Sequence, residues 1–329
     1  MTLIIPEGAT RLTVVGVPSI AQRKPPWLKH RVPMAGPNYR ALKQTMRGLR
    51  LNTVCEEAAC PNIHECWEDR EASFLIGGHD CTRRCGFCNI ATGKPAGYDT
   101  DEPRRVAEAI AAMGLDFAVV TGVARDDLAD GGAWLFAETL RQVKARIPTC
   151  GVELLIPDFR SDLDALRQVT EAAPEVLSHN LETVRRLFRH IRPAFTYDGS
   201  LGLLERARAW LPQHCATKSN VILGMGETEH EVLEGMRDLR AVGVQILTIG
   251  QYLQPTHRHL ALQRYVAPDE FIRYAEYGRE LGFDHVEAGP LVRSSYRAGR
   301  QAQDAGVWRR PGLADPSTPV GSTGHELSS

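Results

Sequence analysis

Eight cysteines carry the strongest chemical signal in this sequence of 329 residues. Six fall within 34 residues and form two triplets, Cys-x4-Cys-x5-Cys and Cys-x3-Cys-x2-Cys. Chance produces a given triplet spacing only about 0.005 times per chain at this cysteine frequency, and disulfide frameworks suit small secreted chains, so the pattern favours metal ligation. The first triplet is Cys55, Cys60 and Cys66, the second is Cys81, Cys85 and Cys88, and the other two cysteines, Cys150 and Cys215, are expected to be buried apolar thiols.

The number of ligands in each triplet helps to distinguish the possible metals. Structural zinc takes four protein ligands, commonly as two close pairs. Each triplet stops at three thiolates, and the nearby His64 and His79 do not stand at zinc-finger spacing. Three cysteines on a [4Fe–4S] cube leave one iron open to a substrate or cofactor. Iron–sulfur clusters are therefore favoured; a zinc-stabilised binding protein and an iron–sulfur carrier without catalysis are the alternatives.

The second triplet, with Phe87 before its last cysteine, resembles the signature of the radical S-adenosylmethionine (SAM) enzymes. The resemblance implies that Cys81, Cys85 and Cys88 hold a [4Fe–4S] cluster whose open iron chelates the amine and carboxylate of SAM. Reduction of that cluster cleaves SAM to methionine and a 5′-deoxyadenosyl radical, which abstracts hydrogen from an unactivated C–H bond. The protein has to position the cofactor and exclude water and oxygen.

The first triplet, which ends fifteen residues before the second begins, resembles the auxiliary-cluster motif of the lipoyl synthase family. In that family a serine near the C-terminus completes the ligand set, and the matching residue is Ser295. The likeness covers most of the chain. It includes the segments KPPWLKHRVP (24–33), CTRRCGFCNIATGKP (81–95), DDLADGGA (126–133), SHNLETV (178–184), LTIGQYLQPT (247–256) and GPLVRSSY (289–296).

The resemblance implies a transferase that inserts two sulfur atoms, at carbon 6 and carbon 8, into an octanoyl chain linked to a lysine of a lipoyl carrier domain. Cys55, Cys60, Cys66 and Ser295 would hold a second [4Fe–4S] cluster, which donates its sulfur and is consumed. The implied carriers are the glycine cleavage H protein and the acyltransferase subunits of 2-oxoacid dehydrogenases. A low-potential donor such as flavodoxin or ferredoxin and an iron–sulfur carrier are implied too. A paralogue acting on another acyl or peptide substrate is the alternative.

Six further residues are candidates for contacts with SAM. Gly131 and Gly132 resemble the glycine pair that accommodates the methionyl end, although a turn leading into a helix has the same sequence. Asn180 and Glu182 resemble contacts to the ribose or amine, with helix N-capping as the alternative. The remaining two are Phe87 and Arg192; Arg192, like Arg293, would meet a carboxylate or cluster sulfides, or pair at the surface.

Three positions depart from the family pattern and put the usual substrate in question. Gly122 and Ala124 stand where Ser and Asp are expected, near the cofactor side of the fold. Asn220 stands where Gly is expected, and asparagine tolerates a left-handed backbone better than most residues. Every predicted cluster ligand is nevertheless present.

Short β-branched runs alternate with amphipathic helical patterns from residue 73 onward. One helix, for example, follows Pro103 and ends at Gly114, the expected punctuation. Six such units predict an α/β fold, a partial parallel (β/α)6 TIM-like barrel with N- and C-terminal extensions and its site at the carboxyl ends of the strands. The predicted strands are 73–78, 117–122, 152–157, 175–180, 220–225 and 245–250.

The predicted organisation is one catalytic domain with extensions. Residues 1–50 form a basic arm, 51–72 the auxiliary-cluster loop, 73–302 the barrel with its C-terminal serine, and 303–329 a disordered tail. The arm holds nine Lys/Arg and one acidic residue; these are scattered among prolines, which favours a solvated arm or an acidic protein partner over nucleic acid. No apolar run approaches the roughly 18 residues of a membrane span, and no secretory signal is recognisable, so a cytoplasmic protein without a membrane partner is expected.

Overall fold

The computed structural model describes residues 23–29 and 36–311, and one mixed sheet forms its centre. The strands are β1 (Asn52–Thr53), β2 (Ser73–Ile76), β3 (Asp80–Cys81), β4 (Ala91–Thr92), β5 (Phe117–Gly122), β6 (Gly151–Leu155), β7 (Val176–Ser178), β8 (Ala216–Leu223), β9 (Ile246–Gln251) and β10 (His285–Gly289). The order in the main sheet is β1-β2-β5-β6-β7-β8-β9-β10, and β3 pairs with β4 in a separate ladder. β1 is antiparallel to β2, whereas every later neighbour in the main sheet is parallel.

Helices connect the parallel strands, as right-handed crossovers in α/β folds require. They are α1 (Pro37–Gly48), α2 (Val54–Glu57), α3 (Ile63–Glu68), α4 (Glu102–Met113), α5 (Ala133–Arg146), α6 (Leu163–Glu171), α7 (Arg185–Ile191), α8 (Tyr197–Trp210), α9 (Glu229–Ala241), α10 (Pro268–Glu280) and α11 (Ala298–Asp304). α4 shows the predicted punctuation, because Pro103 lies in its first turn and Gly114 ends it at φ +61°. None of the helices in the described ranges is long and apolar enough to span a membrane.

The sheet curves into a barrel that does not close. β1 and β10 stand at the two ends of the strand order and are not paired with each other. The predicted fold class, a partial parallel barrel, is confirmed, and all six predicted strands are present, β5 with the predicted bounds and the other five with shifted bounds. β10 is a seventh parallel strand that the sequence analysis missed, because its five residues, HVEAG, are all partly exposed and lack a β-branched run.

The C-terminal segment closes the amino end of the barrel. Ala302 of α11 and Trp308 pack against Val176 and Ala216, near the starts of β7 and β8. The Trp308 ring meets Phe117 edge-on, with ring centroids 5.1 Å apart. Packed residues therefore continue beyond position 303, where the sequence analysis begins the tail. Residues 312–329 of that predicted tail, and residues 1–22 and 30–35 of the predicted basic arm, lie outside the described residues.

Residues 36–72 form a layer of short helices beside β2. α1 docks on α3, where Asn38 Nδ2 donates to Glu68 O at 2.8 Å and Tyr39 N to Glu68 Oε2 at 3.1 Å. Trp67 is fully buried beneath them. This layer carries the first cysteine triplet to the edge of the barrel.

Candidate active site

The 81–88 loop follows the carboxyl end of β2, the edge of the sheet at which the fold is expected to place its site. Gly77 and Gly78 leave the strand with φ of +82° and +94°, a left-handed backbone that favours glycine. The chain then enters β3, which contains Cys81. The backbone N–H groups of Arg83 and Ala124 donate to Cys81 Sγ at 3.4 and 3.3 Å. Hydrogen bonds of this kind help to set the potential of a ligated cluster.

The three thiols of this loop are neighbours in a partly buried setting. Burial raises the pKa of Cys85, and that of Cys88 to about 12, and the neighbouring thiols push the same way. The Arg192 side chain hydrogen-bonds Cys85 and opposes the rise in its pKa. Buried thiols of this kind become thiolates when a metal supplies the compensating charge. Three soft sulfur donors together therefore fit an iron–sulfur cluster.

Contacts from residues 259–260, a later segment, hold the loop in place. Leu260 N donates to Gly86 O at 3.0 Å, and a Cβ at position 86 would lie 2.8 Å from Leu260 Cγ, so the approach needs a glycine. A His259 ring nitrogen, Nε2, lies 3.1 Å from Cys88 O. Phe87, a predicted SAM contact, is partly buried and packs against the core; its contact with SAM stays a prediction.

Arg83 joins the loop to two other strand ends, and the sequence analysis did not identify it. Its guanidinium donates to both oxygens of Asp126 at 2.8 and 2.7 Å and to Asp158 Oδ1 at 2.6 Å. It also lies 4.4 Å from the centroid of the Phe195 ring. Asp126 follows β5 and Asp158 follows β6. The sequence signal for these ion pairs is an arginine between two cysteines of the triplet, together with the two aspartates that begin DDLADGGA.

Glu182 forms a buried acceptor at the carboxyl end of β7. Its two oxygens accept from Asn180 Nδ2 at 2.9 Å and from Asn220 Nδ2 at 2.8 Å. Burial raises its pKa, and Arg192 opposes the rise. Its φ is +69°, an uncommon conformation for this residue type. Helix capping is wrong as the alternative for Asn180 and Glu182, because the N-cap of α7 is Val184, without a side-chain capping bond.

Arg192 lies inside the site, so the alternative of a surface ion pair is wrong. It is 6% exposed, and its Nη1 donates to Asn180 O at 2.5 Å. The guanidinium lies 3.9 Å from the centroid of the Phe195 ring. Arg192 Nε and Asn180 Oδ1 are buried without a hydrogen-bond partner among the described residues. Buried polar atoms are costly unless paired, so these two atoms suit a bound ligand.

The glycine pair lies in the turn that leads into α5. Gly131 and Gly132 have φ of +62° and +89°, and Gly132 is the N-cap of the helix. Asp130 accepts from Gly132 N at 2.9 Å and from Trp134 N at 2.8 Å. A Cβ at position 131 would lie 3.3 Å from Phe159 Cα. The helix-leading turn is thus present, while contact with the methionyl end of SAM stays a prediction.

The three departures from the family pattern have local explanations. A Cβ at Gly122 would lie 2.8 Å from Phe136 Cζ, so a serine there would need that ring to shift. Ala124 contacts the 81–88 loop through its backbone: its N–H donates to Cys81 Sγ and its carbonyl accepts from Thr82 N. Asn220 lies in β8 and not in a left-handed conformation, so the expected reason for asparagine is wrong. Its side chain instead bridges the buried Glu182 carboxylate and Thr248, whose hydroxyl donates to Asn220 Oδ1 at 2.8 Å.

The first cysteine triplet lines a separate cavity of about 230 Å³, which we call the auxiliary cavity. Its walls include Cys55, Cys60, Cys66, Arg293 and Ser295. Burial raises the pKa of all three thiols, that of Cys55 to about 11, and electrostatic repulsion among the thiols adds to the shift for Cys55 and Cys66. The predicted serine and its three predicted partners are therefore brought to one place.

Hydrogen bonds between residues 62–65 and residues 291–297 hold the walls of this cavity together. Asn62 Nδ2 donates to Leu291 O at 2.7 Å across 229 residues of sequence. Glu65 Oε1 accepts from Tyr296 Oη at 2.9 Å and from Arg297 Nη2 at 2.7 Å. These contacts flank the cysteines on one side and the serine on the other. Only the folded chain can assemble such a ligand set.

The geometry of the thiols bears on the choice of metal. A closed zinc site needs ligands that converge on one ion. Such a site takes four protein ligands, and each triplet supplies three thiolates. A cube instead takes one cysteine at each of several irons. The two triplets therefore fit cubes better than zinc. Cys150 and Cys215 lie elsewhere and are buried, as predicted.

Comparison with known proteins places the sequence in a family. Residues 75–239 match the Radical SAM superfamily, and residues 15–60 match the N-terminal domain of lipoyl synthase of that family. A protein named Lipoyl synthase from Mycolicibacterium gilvum is 59% identical over 299 residues, 90% of this chain and 93% of its own. Another from Frankia casuarinae is 55% identical over 321 residues, 97% of this chain and 95% of its own.

Solved structures support the fold alone. Streptococcus suis SuiB bound to S-adenosylmethionine aligns over 69% of this chain and 53% of its own, with a TM-score of 0.52 and 11% identity. HydG, a maturase of the [FeFe]-hydrogenase, aligns over 71% and 62%, with a TM-score of 0.50 and 12% identity. With the sequence relatives, which cover nearly the whole chain, the conclusion is direct: this chain belongs to the lipoyl synthase family of the radical SAM superfamily.

Proposed function

We propose that the chain makes the lipoyl cofactor with two thiol sites of different roles. As a radical SAM sulfurtransferase of this family, it inserts sulfur at carbon 6 and carbon 8 of a protein-bound octanoyl chain and uses SAM and two [4Fe–4S] clusters. We assign the 81–88 loop to the cluster that binds SAM and the auxiliary cavity to the cluster that supplies sulfur. One observation carries the assignment: the two triplets lie in separate places, and the first lines a cavity together with Ser295.

The residues around the 81–88 loop bind and orient the cofactor in this proposal. When bound, the cluster and SAM supply a 5′-deoxyadenosyl radical that abstracts hydrogen from unactivated carbon. Glu182, held from both sides by amides, is placed to accept hydrogen bonds from the amine or ribose of SAM. Arg192 Nε and Asn180 Oδ1 offer an unpaired donor and an unpaired acceptor at the same place. Gly131 and Gly132 would leave room for the methionyl end, and Phe87 would contact SAM.

The auxiliary cavity presents the sulfur-donating cluster as a substrate of the reaction. Cys55, Cys60 and Cys66 bind three irons through thiolates, and Ser295 binds the fourth. An oxygen ligand is harder than a thiolate and matches iron in a sulfide cluster less well. A weak fourth ligand suits a cluster that must lose its sulfur, whereas three buried thiolates keep the remaining irons in place.

The substrate is a lipoyl carrier bearing an octanoyl group, as membership of the family implies. Within this class we propose the glycine cleavage H protein and the acyltransferase subunits of 2-oxoacid dehydrogenases. We also propose a flavodoxin or ferredoxin as electron donor, an iron–sulfur carrier that rebuilds the auxiliary cluster, and a cytoplasmic location. The basic residues Arg23, Lys24 and Lys29 would dock an acidic face of the carrier. Charge reversal at these three positions should weaken carrier affinity and leave SAM cleavage intact.

Anaerobic reconstitution with an octanoylated carrier, SAM and reductant tests the assignment. The intact chain should hold about eight irons and eight sulfides, the content of two cubes. It should form 5′-deoxyadenosine and yield a carrier whose mass shows two added sulfurs. Cys60→Ala should retain one cube and still cleave SAM, but should form no thiolated carrier. Cys85→Ala should retain the auxiliary cube and cleave no SAM.

Cys215→Ala is the matched control, because Cys215 is a buried thiol outside both sites. It should keep both cubes and both products. An intact chain that holds a single cube would contradict the proposal, as would a Cys60→Ala chain with unchanged thiolated product.

A further inference from the structure

Arg293 is a partly buried cation at the wall of the auxiliary cavity. It shares that wall with Cys55, Cys60, Cys66 and Ser295. Among residues 23–29 and 36–311, no carboxylate lies within ion-pair distance of its guanidinium; its one hydrogen bond runs from Nη1 to the Val292 carbonyl at 2.7 Å.

A second arginine of the same segment does have a carboxylate partner, which Arg293 lacks. Arg297, four residues later, pairs with Glu65 at 2.7 Å. A cation that is partly removed from water gains from a nearby counter-charge. Arg293 lines the cavity together with thiols and not with a carboxylate partner, so its charge is available to an anionic occupant.

A glycine in β9 positions Arg293. Gly250 lies so close to Val292 that an added Cβ would collide with the Val292 carbonyl oxygen, and it would lie 3.5 Å from Arg293 Nη1. The same carbonyl accepts the Arg293 hydrogen bond. The missing side chain at position 250 therefore lets the 292–293 backbone lie against the sheet, with the guanidinium turned to the cavity. This assigns a role to a glycine of the LTIGQYLQPT segment.

The cluster that we propose for the auxiliary cavity is an anion. A [4Fe–4S] core with three thiolates and one alkoxide carries a net negative charge, and nearby charges and hydrogen bonds set its stability and potential. We propose that Arg293 is a positioning residue of the sulfur-donating site, whose guanidinium supplies the counter-charge to the auxiliary cluster and retards its loss of iron before sulfur transfer. This inference rests on the proposed function, because it presumes that the auxiliary cavity holds that cluster.

The test isolates the auxiliary cluster in the full chain. The background variant carries Cys81→Ala, Cys85→Ala and Cys88→Ala, so that only one cube can form. Into it we would introduce Arg293→Gln, which removes the charge, and Arg293→Lys, which keeps it. Two quantities are measured: the rate of iron loss to a chelator, and the ratio of reduced to oxidised cluster at a fixed potential, read by electron paramagnetic resonance.

Arg293→Gln should speed iron loss about 10-fold or more, the usual effect of removing a partner of a metal site. It should also lower the ratio of reduced to oxidised cluster about 10-fold, because a nearby cation favours the added electron. Arg293→Lys should restore the ratio to within about threefold, since it retains the charge. Arg300→Gln, on the outer side of α11 and paired with Glu287, should behave as the background does.

The outcomes separate the two proposals. If the background chain binds no cube, the assignment of the auxiliary cavity is wrong. If it binds a cube and Arg293→Gln leaves both measurements unchanged, the role of Arg293 is wrong and the assignment stands. Faster iron loss by Arg293→Gln and Arg293→Lys alike, with no change in the ratio, would indicate a packing role and would also overturn the inference.

Discussion

Replacement of Arg83 should loosen the 81–88 loop more than any other single change to a residue that does not bind iron. The Arg83 side chain is 5% exposed, and its partners Asp126 and Asp158 are 28% and 12% exposed. Arg83→Gln would leave both carboxylates without their cation. Removing one partner of a buried pair costs about 3–5 kcal/mol, and the exposure of Asp126 places the cost near about 3 kcal/mol. For a chain of this length that corresponds to a fall in melting temperature of about 4 °C.

The functional consequence should exceed the loss of stability. Arg83 is adjacent in sequence to Thr82, whose hydroxyl also donates to Asp126, and its own N–H donates to Cys81 Sγ. A loosened loop should therefore retain the SAM-binding cube poorly. We expect Arg83→Gln to fall from about eight irons per chain towards about four, with 5′-deoxyadenosine formation reduced in proportion. The measurements are iron content after anaerobic gel filtration, SAM cleavage, and thermal unfolding.

Arg84 provides the matched control, because it is the next residue, has the same side chain and is exposed. Arg84→Gln should change neither iron content nor melting temperature. Equal iron content and equal melting temperature of the two variants would refute the prediction. Such a result would show that the ion pairs of Arg83 stabilise the 81–88 loop no more than an exposed charge does.

Three further changes test other parts of the structure. Glu182→Gln should weaken SAM binding about 10-fold with unchanged iron content, because one end of the new amide would present N–H to an amide donor; isothermal titration would show it. His179 is buried, and its pKa is lowered from 6.5 to about 4, chiefly by burial. Between these two pH values the unfolded chain binds a proton at this histidine and the folded chain does not. The free energy of unfolding should therefore fall by up to about 3 kcal/mol as the pH falls from 6.5 to 4. His179→Gln should flatten that dependence in urea unfolding, and an unchanged slope would contradict it. Trp308→Ala should cost about 3 kcal/mol through the cavity it leaves under the barrel, without loss of iron.

Local patterns predict the regular part of the fold because hydrophobic periodicity and helix punctuation are local properties. α4 has its proline in the first turn and Gly114 as its C-cap, as its sequence predicts, and β5 has the predicted bounds. β10 could not be found in this way, since its pairing with β9 depends on the barrel that the earlier strands have already formed. The same holds for Trp308, whose burial depends on strand ends more than 90 residues away.

The candidate site shows the same division. Spacing alone identifies each cysteine triplet, because the three members of a triplet lie close together in sequence. Spacing cannot show that Asn220 supports Glu182, or that Arg83 joins two strand ends, because these partners meet only at the carboxyl edge of the sheet. The expectation about Asn220 was wrong for this reason: it considered the backbone of one residue, whereas the structure uses its side chain.

The walls of the auxiliary cavity come from segments that lie far apart in sequence, so the cavity forms only when the fold is complete. Its thiols come from residues 55–66 and its serine and cation from residues 293–295, and Glu65 fastens the two segments together through Tyr296 and Arg297. A cluster that is dismantled in each reaction must be rebuilt, and rebuilding requires access to these ligands. Glu65 and Cys66 share α3, so loss of the Glu65 contacts would loosen the segment that carries Ser295 relative to the cysteines. We therefore expect Glu65→Gln to exchange iron of the proposed auxiliary cluster faster than the unaltered chain, while its SAM-binding cube remains unchanged.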